Sequence, residues 1–541
     1  MQPTEHPSSG ASAAPHAASA PGRWFQRVGM RCAASILAGV LLALCFPRHN
    51  LTWLVWIAPL PLLLALLNEA SLKRAYLWGA IAGAVFLTGS VYWIALVMKN
   101  YGRMSLPAAL GVMAAFLLVD SSYWGFFGLV TAWTARRSPG LALAASPLLW
   151  VAMDVTQTYG YFGGFPWNLL GYGIQSSGLR QIATVTSVYG LSFLAFTTTA
   201  LAAGLLLASS RRTRRAALAL LALWICGLIL ANSLMQPPGP TEGREVAVLV
   251  QPNIPLNEAA LGWAPAQNPE PLNHLVNLSL AKLREVSPQR TSATAGDAPL
   301  IVWSENSAPF YFDRDPVFRN TVQNLARQSG AYVIVGATTF VNGETTRPLN
   351  TAIVLDPSGN TILQYAKIHL VPFGEYVPAL FDHLVGQITT EGGSFVPGST
   401  YASAPARPGA IGVFICFEEV FPQLVRRVTP RGPGVLVNIS DDAWYGDSSA
   451  AFQSMEMARL RAVESRRYLL RATDDGITDV IDPYGRVLGE LPQHRQAAMA
   501  ARFDYESGET FYTAHGDIFA WLCVAAAAAL AAVRIGMGAR Q

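Results

Sequence analysis

Charge is scarce in this chain. Of its 541 residues only 13% are Asp, Glu, Lys or Arg, against about 25% in soluble proteins. Hydrophobic residues make up 52%, and the mean hydropathy is +0.30, which excludes an ordinary soluble protein. Cysteine is nearly as scarce. Cys32, Cys45, Cys226 and Cys523 lie in or beside apolar runs, leaving Cys416 alone in a polar block of roughly 275 residues, about 240–515. That solitude excludes a disulfide within the block. With no Cys-x-x-Cys and no Cys/His cluster, no metal site is expected. The net charge of +4 is mild, and no basic stripe with interleaved aromatics marks a nucleic-acid partner. The length calls for two or more units.

What the chain has in abundance is apolar runs. A span needs about 20 mostly apolar residues, and candidates fall at roughly 30–47, 51–69, 75–98, 106–134, 141–157, 183–208, 215–235 and 517–534. These predict about eight spans, the fourth long enough to tilt or break. Loops of one set carry the basic residues: Arg23, Arg27 and Arg31; Lys73 and Arg74; Arg136 and Arg137; Arg211, Arg212, Arg214 and Arg215; Arg534 and Arg540. The opposite set holds Arg48, Lys99, Arg103 and Arg180. The positive-inside rule then puts both termini in the cytoplasm and the polar block on the far side of the membrane. No small-x-small cleavage site follows the first run, which reads as an uncleaved span. The first 22 residues, rich in Ala, Pro, Ser and Gly, read as a disordered tail.

The polar block has its own pattern. Short β-prone runs recur at 245–250, 299–303, 331–336, 351–355, 411–415, 435–439 and 477–481, with helix-like stretches at 273–285, 316–328 and 453–467. Continuous apolar strands separated by helices predict an α/β domain whose strands are buried on both faces. The resulting division is a tail at 1–29, a helical membrane region at 30–238, the polar domain at 239–515, and a last span with a short tail at 516–541.

Three residues in the polar block form a chemically coherent set. Glu305 follows the strand at 299–303, Lys367 stands eight residues before Glu375, and Cys416 ends the strand at 411–415. In α/β folds, reactive groups gather at strand ends, where side chains leave the packed sheet. A thiol needs a base, a partly buried carboxylate can serve as one, and a lysine can neutralise an oxyanion. Such a set supports acyl transfer through a thioester. Singly, each residue has an ordinary reading: a small core thiol, a solvated loop acid, a surface ammonium. No spacing rule joins the three.

The longer motifs decide between these readings. Trp-Ser-Glu-Asn (303–306), Lys-Ile-His-Leu-Val-Pro-Phe-Gly-Glu-Tyr-Val-Pro (367–378) and Ile-Cys-Phe-Glu (415–418) resemble, in this order, the nitrilase (carbon–nitrogen hydrolase) superfamily. Within it the chain is most similar to the bacterial apolipoprotein N-acyltransferase family. The likeness extends through 442–447, 457–464, 471–478 and the apolar-region segment Gly-Phe-Pro-Trp-Asn-Leu-Leu-Gly-Tyr at 164–172, and so covers about 30–520. It implies a nitrilase-like α-β-β-α sandwich carried by a polytopic helical membrane domain. It makes Glu305 the general base, Lys367 the oxyanion-stabilising cation and Cys416 the nucleophile. Glu375 and Glu418 become supporting acids, and Trp263 and Phe417 become substrate-contacting positions.

The activity implied is transfer of an acyl chain from a membrane phospholipid, through a Cys416 thioester, to the α-amino group of a diacylglyceryl-cysteine apolipoprotein. It takes place outside the cytoplasmic face of a bacterial inner membrane and needs no cofactor. The same set would also suit a membrane-tethered amidase or nitrilase. A catalytically inactive nitrilase fold that binds ligand is a third reading, against which the intact set argues. Some positions depart from the family pattern: Phe417 stands where Tyr is common, Ser454 where His is expected, Ala450-Ala451 where Gly/Ala-Pro is usual, and Asp474-Asp475 where Asn-Thr or Asn-Asn is common. His369 reads as a supporting or surface residue, and Asp154 and Gln157 as groups packed inward from an apolar span. Tyr159, Tyr161, Phe162 and Trp167 read as an interfacial belt or one wall of a lipid portal.

Overall fold

In a computed structural model of the protein, the described residues are 27–100, 102, 104–254, 270–286, 298–306, 311–341, 347–376 and 395–538, with side chains described to 532. Trp263 lies outside them, as do Val377 and Pro378, the last two residues of the Lys367 motif.

The apolar runs form helices. Four are long and apolar enough to cross a membrane: Leu106–Ala135, Pro139–Tyr159, Ala183–Leu207 and Arg211–Leu234. A fifth candidate is a pair, Leu72–Val91 and Trp93–Asn100, bent by 53°. Val28–Leu44, Thr52–Leu67 and Ile518–Ala532 are apolar but shorter. The expected eight spans therefore stand at four or five by length and composition among the described residues. The break also falls elsewhere than expected. The run at 106–134 is one unbroken helix of 30 residues, about 45 Å long at 1.5 Å per residue, and it is the preceding run that bends.

Small residues let these helices approach closely. A Cβ on Gly79 would stand 2.1 Å from the Trp124 carbonyl oxygen, and one on Gly128 2.4 Å from that of Ala75, the close backbone contact typical of membrane helix pairs. Arg211–Leu234 buries no residue against the rest of the protein, as suits a helix whose apolar surface faces lipid.

The polar block folds into two six-stranded sheets. The first contains β1 (Glu245–Gln251), β2 (Leu300–Trp303), β3 (Tyr332–Phe340), β4 (Pro348–Leu355), β5 (Thr361–Ala366) and β12 (Ala497–Phe503), in the order β12-β1-β2-β3-β4-β5. The second contains β6 (Ser403–Pro405), β7 (Ala410–Ile415), β8 (Gly434–Ser440), β9 (Leu469–Thr473), β10 (Asp479–Ile481) and β11 (Val487–Glu490), in the order β11-β10-β9-β8-β7-β6. Each has a parallel centre, β1-β2-β3 and β7-β8-β9, and antiparallel flanks.

Strand periodicity makes the layers. Val248, Val250, Ile301, Trp303, Val333 and Val335 face the helices Glu270–Val286 and Pro316–Ser329 in one apolar cluster. Their alternates Ala247, Leu249, Leu300, Val302 and Ile334 join a second cluster with Val413, Ile415, Val435 and Val437 of the other sheet. Side chains on a strand point alternately to its two faces, so a central strand buried on both faces is apolar throughout. Helices Pro422–Val428 and Ala450–Ser465 belong to the second sheet's side. The result is the expected α-β-β-α layering, with mixed rather than purely parallel sheets.

Candidate active site

The inner faces of the two sheets bring the ends of β2, β5 and β7 together. Beyond β2, Glu305 is buried at 3% exposure. It passes directly over Gly336 of β3, where a Cβ would stand 2.7 Å from the Glu305 Cα. Only glycine leaves room there. Glu305 Oε1 accepts hydrogen bonds from Lys367 Nζ at 3.3 Å and Asn350 Nδ2 at 2.6 Å, and Oε2 accepts from the Asp441 backbone N–H at 2.9 Å. Asp441 immediately follows β8, so the carboxylate is gripped from both sheets. Each carboxylate oxygen has two lone-pair sites. Among the described residues those on Oε1 are taken and one on Oε2 is free.

Lys367 follows β5 and is 2% exposed. Its ammonium reaches Glu375 Oε1 at 3.0 Å as well as Glu305, which leaves one of its three N–H groups without a partner among the described residues. Burial opposes its charge, but the two carboxylates win and hold its pKa well above the usual lysine value. The cation is permanent. Asn350, on β4, also donates to Glu375 Oε1 at 2.7 Å and so ties the two glutamates together.

Cys416 follows β7 and starts a 3-10 turn, Cys416–Val420. Its φ of +50° is left-handed, a conformation non-glycine residues adopt only where their surroundings enforce it. Glu418 supplies much of that enforcement. Its Oε2 accepts from the Ile415 N–H at 2.7 Å, and its Oε1 from the N–H groups of Ile368 at 2.7 Å and His369 at 3.1 Å. The Tyr365 hydroxyl donates to both oxygens at 3.0 Å. One carboxyl thereby fastens the strand that ends at Cys416 to the segment that carries Lys367. Burial pushes Glu418 up to about 7, opposed by these backbone donors.

Burial pushes the Cys416 thiol well above its ordinary value; the Glu305 carboxylate adds to this and the Lys367 ammonium opposes it. The resting group is therefore a neutral thiol. It becomes a competent nucleophile when a base removes its proton as it attacks. The free lone pair of Glu305 and the free N–H of Lys367 are what that chemistry requires.

Around the thiol lies an aromatic layer. Phe417 stacks on Phe165 at 6.1 Å and Trp167 at 6.2 Å between ring centroids. His369 packs against Phe421 at 3.7 Å, and burial together with Lys367 lowers its pKa to about 4. A neutral imidazole in an aromatic stack is a wall rather than an acid. Trp167, read from sequence as part of an interfacial belt or of one wall of a lipid portal, is 3% exposed and packs on Phe417, whereas Tyr159 and Tyr161 remain exposed. Gln157 points inward and donates to Asp120 at 3.3 Å, and Asp154 is buried beside them.

The departures from the family pattern have defined places. The Ser454 hydroxyl bridges Glu419 and Arg471, and Arg471 also pairs with Asp442 at 2.9 Å. Asp474 accepts from the Ile254 N–H at 3.1 Å and anchors the chain leaving β1. Asp475 holds His494 at 2.8 Å. Sequence reasoning missed Asn350, Asp441 and the Arg471 pairings. A polar Asn inside the apolar β4 run was the signal available for Asn350. The Asp441 contact is made by backbone and leaves no residue-type signature. Among the described residues no group of three or more His, Cys, Asp or Glu is arranged to hold a metal ion.

This site on these two sheets defines a carbon–nitrogen hydrolase domain, and the model of that family matches residues 249–510. The model of the apolipoprotein N-acyltransferase N-terminal domain matches residues 38–201. An apolipoprotein N-acyltransferase of Geobacter metallireducens is 36% identical over 510 residues, covering 92% of this chain and 94% of that protein. One from Methylococcus capsulatus is 30% identical, covering 89% and 92%. A solved amidase of the nitrilase superfamily from Nesterenkonia shares 19% identity over 49% of this chain and 92% of its own, with a TM-score of 0.35; that likeness is too distant to bear on the argument. The chain belongs to the apolipoprotein N-acyltransferase family.

Proposed function

We propose that the protein N-acylates apolipoproteins by a two-step transfer through Cys416. Glu305 takes the thiol proton as sulfur attacks an ester carbonyl of a membrane phospholipid. The free N–H of Lys367 receives the developing oxyanion. The ester C–O bond breaks, the proton passes to the departing lysophospholipid oxygen, and an acyl-cysteine thioester remains. The α-amino group of a diacylglyceryl-cysteine N-terminus then attacks that thioester, Glu305 accepts the amine's proton, and the thiol is regenerated. Donor and acceptor use one site in turn. The observation that carries this reading is the convergence of Glu305, Lys367 and Cys416 at strand ends from both sheets.

The apolar helices fit this chemistry. Drawing an acyl chain out of a bilayer costs about 0.8 kcal/mol per CH₂, and a site at the membrane surface avoids most of that cost. We take all eight apolar helical segments as spans of the inner membrane, with 239–515 on the periplasmic side and Trp263 at the substrate entrance.

The test is direct. Purified protein in detergent is incubated with a phospholipid labelled in its acyl chain, without acceptor. A hydroxylamine-sensitive protein adduct is expected, absent in Cys416→Ser, and a diacylated lipopeptide should discharge it onto its amine. Label appearing only as free fatty acid would make the protein a hydrolase and overturn the reading.

A further inference from the structure

Gln453 is 1% exposed and lies one turn into the helix Ala450–Ser465 of the outer domain, yet most of its side-chain partners belong to the membrane region. Its Oε1 accepts the indole N–H of Trp167 at 2.7 Å and that of Trp93 at 3.3 Å. Its Nε2 donates to the carbonyls of Pro47 and Ser90, each at 3.0 Å, and to the Ser449 hydroxyl at 3.1 Å. An amide oxygen has two lone pairs, both taken, and an amide nitrogen two hydrogens, which three acceptors share, so the group is saturated on both ends.

The two tryptophans are held by their edges, which fixes where their faces point. Trp167 stacks on Phe417, the residue after the nucleophile, and Trp93 packs on Trp167 at 5.0 Å. Both rings also touch Tyr445. The wall beside the thiol is therefore built by the membrane region and aligned by one outer-domain amide.

Building on the acyl-transfer reading, we propose that Gln453 is a positioning residue. By orienting Trp93 and Trp167 it sets the apolar wall against which the donor's acyl chain lies while its ester carbonyl meets Cys416. A shift of about 1 Å at such a wall can cost roughly 100-fold in rate, whereas a small reagent that needs no wall would not sense it.

The experiment compares two reactions of the same thiol: adduct formation with labelled phospholipid, and alkylation by iodoacetamide. Gln453→Met keeps length and loses the amide; adduct formation should fall about 100-fold while alkylation keeps the wild-type rate. Trp167→Phe keeps a ring and loses one N–H, should cause a smaller loss, and should add little when combined with Gln453→Met. Wild-type adduct formation by Gln453→Met overturns the proposal, as does parallel loss of acylation and alkylation, or full additivity in the double variant. A wild-type protein that forms no adduct overturns the acyl-transfer reading instead.

Discussion

Lys367 Nζ lies 3.3 Å from Glu305 Oε1, with the lysine side chain 2% and the glutamate side chain 4% exposed. At this depth the pair orients both groups as well as neutralising them. Removing the lysine would leave two carboxylates, one buried and one part-buried, uncompensated, which costs about 3–5 kcal/mol, whereas removing Glu305 leaves the lysine paired with Glu375 at 3.0 Å. Glu305→Gln should slow adduct formation from labelled phospholipid by about 10²–10⁴-fold, the range for loss of a general base. Glu375→Gln, which removes the second counter-charge and not the base, should slow it less. Equal losses in the two variants would argue that Glu305 acts only as a counter-ion.

Gly336 tests the same carboxylate through sterics. With Glu305 Cα 2.7 Å from the site of an added Cβ, and the Ser304 oxygen 2.8 Å away, Gly336→Ala must displace the turn that carries Glu305, the proposed base. Adduct formation should drop at least about tenfold, although the substitution adds one methyl and removes no polar group. A fully active Gly336→Ala would show that this turn yields without consequence.

Glu418 joins the two segments that carry Cys416 and Lys367. Glu418→Ala would strand three backbone N–H groups, the buried one of Ile415 and the part-buried ones of Ile368 and His369. Each such group costs about 1–3 kcal/mol, so thermal unfolding should fall markedly. Glu418→Gln keeps an acceptor and should recover part of that loss.

His494 bridges Asp475 at 2.8 Å and Asp447 at 2.9 Å. Burial works against its charge, but the hydrogen bonds and charges of the two aspartates prevail and raise its pKa above 6.5. A cation whose folded pKa is raised contributes stability that is full below its unfolded value and is lost as pH rises through the folded one. His494→Gln should therefore lower the melting temperature at about pH 6 and match the wild type well above the raised pKa. A deficit independent of pH would show that packing, not charge, holds this bridge.

Much of this was legible in the chain. The apolar central strands β1, β2, β7 and β8 announced themselves because both their faces are buried. Others were hidden for physical reasons. β12 is Ala-rich, β9 carries the buried Arg471, and β5 is partly exposed, so none shows a continuous apolar run. The bend at Tyr92 has no Pro to mark it, only the Gly89-Ser90 pair in the turn before it, a weak signal inside a long apolar run.

By itself the sequence supplied the groups available, one thiol in the polar block with carboxylates and a lysine, embedded in motifs that resemble those of a known family. It also determined that lipid is close, because apolar composition is a local property that survives without a fold. Only the tertiary structure decided who holds whom. Asn350 ties Glu305 to Glu375, the Asp441 backbone grips the base, and Gln453 reaches into the membrane region to align Trp167. Those contacts join residues far apart in the chain, and nothing local to either partner encodes the distance between them.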